Sequence, residues 1–123
     1  MVATFQDTLG YCFKSTLETM GTSVRDVVYD RLRRKGIPES EIPIQFDDVV
    51  RVLNESFGGS ARVIIYKTLV ELYQQYSMRV DFTYQESLRD HMSLLRERVV
   101  VDHIIPKRAR IEDSRLEGRL SLV

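Results

Sequence analysis

An all-α fold, a compact bundle of about five helices with a central apolar helix and a charged C-terminal tail, is what the sequence predicts. Three observations carry that expectation. Apolar residues recur at three- and four-residue spacing through most of the chain, glycines punctuate those runs, and the run from Ala61 to Tyr76 is apolar around most of its circumference.

Taken in order, Phe5, Leu9, Phe13, Thr16, Leu17 and Met20 share one helical face, so a first helix is expected from about Thr4 to Met20, with Gly21 as its stop. Ser23 followed by Asp26 predicts a capping box for a second helix, striped by Val24, Val27, Val28 and Leu32 and closed by Gly36. Pro38 and Pro43 then mark a connector with room for one helical turn. Phe46, Val49, Val50, Leu53 and Phe57 predict the third helix, after which Gly58 fits a left-handed C-terminal position and Ser60 a cap for the next.

The fourth helix, Ala61 to Tyr76, has one side of Ala61, Ile65, Leu69, Leu72 and Tyr76 and an adjoining side of Val63, Tyr66, Val70 and Tyr73. Only Lys67, Glu71, Gln74 and Gln75 supply a polar stripe, so this helix belongs at the centre of the bundle or in a subunit interface. Tyr66, Tyr73 and Tyr76 are expected at the core boundary with hydroxyls reaching water. Thr83 with Glu86 predicts the start of a fifth helix, whose stripe is Tyr84, Leu88, Met92, Leu95 and Val99 and which runs to about Val101. The β-branched residues between Val99 and Ile105 would also suit a short strand, but no partner strand is evident. Residues 1–105 read as one helical domain and 106–123 as a charged, solvated tail with weak helical character between Arg115 and Leu122.

The chain has 123 residues, with 18 basic and 18 acidic side chains, which excludes coating of nucleic acid by bulk charge. Cys12 is the sole cysteine and falls on the apolar face of the first helix, so it reads as core. No apolar run approaches the roughly 20 residues that span a bilayer; a soluble, cytoplasmic protein is expected. The segment VDHIIP, around His103, is how many HNH nucleases begin their metal site. The Asn and His residues that such a site needs downstream are missing, and His91 lies twelve positions away, too far to share a helical turn. No catalytic metal, no cofactor and no enzymatic activity are therefore expected.

The run from Ser23 to Tyr73 resembles the Nitrosopumilus output domain 5 family of small archaeal helical domains. The positions that carry the likeness are Gly36-Ile37, Ile42 and Pro43, the helix start near Phe46, Phe57-Gly58, Ala61 and the apolar helix through Leu72. The resemblance implies an archaeal source and a signalling-output or interaction role, and brings no catalytic motif with it.

Two sets of residues are candidate sites. Leu88, Met92, Leu95 and Val99 alternate by four, three and four, a narrow line flanked by charge that predicts a pairing seam with a second copy and hence a homodimer. Arg31, Arg33, Arg34 and Lys35 end the second helix, where they complement its dipole. Joined by Lys107, Arg108 and Arg110 of the tail, they would offer a phosphate-backbone contact and the alternative reading, a DNA-binding regulator built on helices two to four.

Overall fold

The computed structural model describes residues 4–80, 88–102 and 104–107. They form α1 (Phe5–Met20), α2 (Thr22–Arg34), α3 (Phe46–Phe57), α4 (Gly59–Gln75) and α5 (Leu88–Asp102), with a short 3-10 turn at Glu39–Glu41. No strand occurs among the described residues, and the valines at 99 to 101 continue α5. The Thr83–Glu86 cap and Tyr84 lie outside the described residues.

The helix ends follow local chemistry, with two corrections to the expected caps. Thr4 opens α1 with a reciprocal capping box: its hydroxyl accepts the Asp7 N–H at 3.0 Å, and the Asp7 carboxylate accepts the Thr4 N–H at 3.3 Å. Gly21, at φ +121°, both ends α1 and precedes α2. Because the chain turns within that one residue, α2 already starts at Thr22 and the Ser23–Asp26 box does not form. Gly58, at φ +56°, does the same between α3 and α4, so α4 begins at Gly59 and Ser60 does not cap it. Gly36 sits at φ +86° in a Schellman motif, with Ile37 N–H donating to the Leu32 carbonyl at 2.9 Å and Gly36 N–H to that of Arg33 at 3.0 Å. That reversal aims Ile37 inward, and Ile42 follows it into the core.

Helices α1 to α4 close a ring: α1 packs on α2, α2 on α3, α3 on α4, and α4 on α1, the most extensive pairing of all. The last helix, α5, lies against α4 and α1 from outside the ring. Fully buried Phe13, Leu17, Leu32, Leu53, Leu69 and Leu72 fill the interior, together with Cys12. The predicted centrality of α4 is observed, since it packs on α1, α3 and α5, and α1 shares it. Val27, predicted as part of the α2 stripe, faces solvent, because among the described residues α2 packs on α1, α3 and the Glu39–Glu41 turn, and Val28 and Leu32 are the side chains it buries. Pro106 is buried, so the packed structure reaches one residue past the expected domain boundary.

Candidate functional site

The predicted pairing seam is corrected by its surroundings. Leu88, Leu95 and Val99 are 5, 2 and 7% exposed, and Met92 packs half-buried beside them, all against this chain's own core. The narrow line suffices because α5 docks over α4 and α1 at the edge of an already closed ring, where a wide stripe has nothing to cover. The Tyr73 hydroxyl fixes the same contact, donating to the His91 carbonyl at 3.1 Å rather than reaching water, and Tyr76 is buried as well. Tyr66 stays at the boundary.

The basic cluster is placed at the exposed end of α2 as expected, but part of its charge is answered locally. Arg33 and Arg34 both reach Asp30, at 3.4 and 3.0 Å, while Arg31 and Lys35 are exposed. Lys107 is exposed beyond α5, an element that does not pack on α2, and Arg108 and Arg110 lie outside the described residues. Arg51, the one cation of α3, pairs with Asp48 at 3.1 Å. Among the described residues, α2 and α5 share no packing contact that would join the α2 cluster to the end of α5.

His103 also lies outside the described residues, and its neighbour Asp102 pairs with Arg98 at 3.6 Å. Among the described residues no group of three His, Cys, Asp or Glu side chains could hold a metal ion, and no helix is long and apolar enough to cross a membrane. Cys12 is fully enclosed. The phenol of Tyr29 is pushed up to about 12, by burial first and then by the carboxylates of Glu39 and Glu18, against the opposing pull of Arg25. That group lines a shallow cleft of about 740 Å³ with Tyr11 and Glu39; it stays protonated near neutrality and is a poor nucleophile there.

A different feature has the dimensions of a binding site. Among the described residues α3 and α5 do not pack on each other, and between them runs a groove of about 880 Å³. Leu9 of α1, Phe46 of α3, Ile65 of α4 and Met92 of α5 give it apolar surface. At its mouth stands Ile44, 59% exposed despite its size. The walls differ in charge. On α3, Asp47, Asp48 and Glu55 outnumber Arg51, whereas the cations Arg62 and Arg96 come from α4 and α5. Apolar surface between an acidic and a basic wall suits an amphipathic helix laid along it. Twelve residues make α3 about 18 Å long, room for roughly three turns beside it.

Sequence reasoning missed this groove because no single run encodes it. Leu88 and Met92 were legible as an apolar line, but that two of its members border a channel depends on α5 standing apart from α3. Ile44, a large apolar residue between Pro43 and Gln45 in a connector, was the one local signal. No protein-family model, curated protein or solved structure matches this chain.

Proposed function

We propose that this chain is a non-enzymatic protein-interaction module, of the signalling-output kind, that takes an amphipathic helix of a partner protein into the groove between α3 and α5. The carrying observation is the groove itself: apolar surface of several elements, an exposed isoleucine at its mouth, and walls of opposite charge. Its occupant has an apolar ridge at i, i+4, i+7 spacing, with carboxylates toward Arg96 and cations toward Glu55. The likeness of residues 23–73 to an archaeal output family points the same way, since the positions that carry it are scaffold positions. Homodimer formation loses the seam that motivated it, and the DNA-binding alternative loses Arg33, Arg34 and Arg51 to neighbouring carboxylates.

Selection from a display library of helical peptides tests the proposal. Peptides enriched on the wild-type chain should carry the stated pattern. They should lose at least about tenfold in affinity for Ile44→Glu, a loss of about 1.4 kcal/mol, and be indifferent to Gln74→Ala on an exposed face of α4. Enrichment of no such peptides, or of peptides that ignore Ile44→Glu, refutes the groove as a helix site.

A further inference from the structure

The shallow cleft beside Tyr29 adjoins the groove, because Pro43 borders both. Its walls are Asp7, Tyr11 and Lys14 of α1, Tyr29 of α2, and Glu39 and Ser40 of the connector that follows α2. Gly10 sets how closely the connector approaches α1: a Cβ added there would already touch the Pro43 ring at 3.4 Å. Ile44, the exposed residue at the groove mouth, comes next in the chain.

Aromatic and acidic groups coincide in this cleft. The ring of Tyr29 packs on Phe13 with centroids 6.4 Å apart, and Phe13 meets Phe46 edge-on at 5.7 Å, so the phenol is held in place before any ligand arrives. Tyr11 is 47% exposed. The charge felt at the Tyr29 phenol is negative, since Glu39 and Glu18 each outweigh Arg25, and Arg25 is itself shared between Glu18 at 3.8 Å and Asp26 at 3.2 Å. Among the described residues no cation pairs with Glu39. Lys14, the one cation of the lining, is exposed and makes no ion pair with it.

An accessible ring beside an unmatched carboxylate attracts an organic cation. A guanidinium suits this one best, because it is planar enough to stack on Tyr11, its fork matches the Glu39 carboxylate, and its remaining N–H groups can donate to the oxygens of Tyr29 and Ser40. A lysine ammonium is more strongly hydrated and loses more in so open a site. A methylated ammonium needs a cage of rings, whereas Phe13 is 1% exposed and only the two tyrosines are accessible.

We propose that this cleft is a socket for an arginine side chain of the partner protein whose helix lies in the groove, carried on residues that cross Pro43 beyond one end of that helix. The identity of the donor rests on the groove being a helix site; the socket itself does not. Joined on one partner, the second contact forms intramolecularly and multiplies the affinity of the first.

The socket is tested on the full chain with acetyl-Gly-Arg-Gly-amide, followed by NMR through the ring resonances of Tyr11 and Tyr29. Saturable shifts at millimolar peptide are expected. The citrulline peptide, alike in shape but uncharged, and the lysine peptide should each bind at least about fivefold more weakly. Tyr11→Ala and Glu39→Gln should each weaken the arginine peptide about three- to fivefold, with thermal unfolding unchanged because both side chains are exposed. Display-selected groove peptides are then extended by a few randomised residues at either end. Arginine should be enriched at one end and raise affinity at least about tenfold; Glu39→Gln should remove that gain and leave the unextended peptide unaffected. Equal binding of the three short peptides, or no shift of either ring, overturns the socket. If groove peptides bind but their extensions select no arginine, the partner assignment is overturned and the groove reading stands. If the arginine peptide binds and no helix does, the groove reading falls, the partner assignment falls with it, and the socket is upheld.

Discussion

Helices α4 and α5 each carry apolar residues on more than one side, and they dispose of them differently. On α4 the second apolar side, Val63, Tyr66 and Val70, is at least half-buried, because α1, α3 and α5 surround the helix. On α5 the inner line is buried while Leu94, Val100 and Val101 stand 60, 61 and 67% exposed. Among the described residues α5 packs on α4 and α1, and the side toward α3 opens on the groove. The number of neighbours, more than the width of an apolar stripe, decides how much of a helix is enclosed.

The sharpest way to break this comparison is Leu95→Glu. A carboxylate placed at a site 2% exposed and facing an apolar core should cost about 4 kcal/mol or more, and the variant should show no cooperative unfolding transition at room temperature. A folded Leu95→Glu monomer derived from a wild-type dimer would restore the pairing seam and reverse the assignment of α5.

Truncation of equally buried leucines grades the two helices against each other. Leu69→Ala, on the helix with three neighbours, should lose about 4 to 5 kcal/mol in urea unfolding, and Leu95→Ala nearer 2 to 3 kcal/mol, because the periphery collapses more readily around a cavity. Equal losses would mean that α5 is as integral to the core as α4. Tyr73→Phe removes the hydroxyl that ties α4 to the His91 carbonyl and should cost about 1 kcal/mol, with faster amide exchange in α5 and little change in α3. The smallest effect belongs to Leu94→Gln on the outer side of α5, expected within about 0.5 kcal/mol of wild type; a larger loss would reveal that something covers that side.

How much of this was legible in the sequence depended on the range of the interaction concerned. The helix periods, the stop at Gly36 and the encirclement of α4 are properties of short windows, and the reading from residues placed them well. The caps at Ser23 and Ser60 failed because a neighbouring glycine with positive φ turned the chain before the serine could act. The seam on α5 was seen and assigned to the wrong partner, since spacing reports that an apolar line is covered without reporting by what. Between α3 and α5 the groove was invisible, because it is made by the absence of contact between elements more than thirty residues apart in the chain.

The burial of Cys12 turns the chain's single thiol into a chemical clock. With no exposed surface, its sulfur meets a reagent only when α1 separates from its neighbours. At moderate reagent concentration the labelling rate therefore counts how often the interior opens, without any added probe, and at high reagent concentration it becomes the opening rate itself. Because α1 packs on α2, α4 and α5, one reacting atom would time the breathing of three separate contacts.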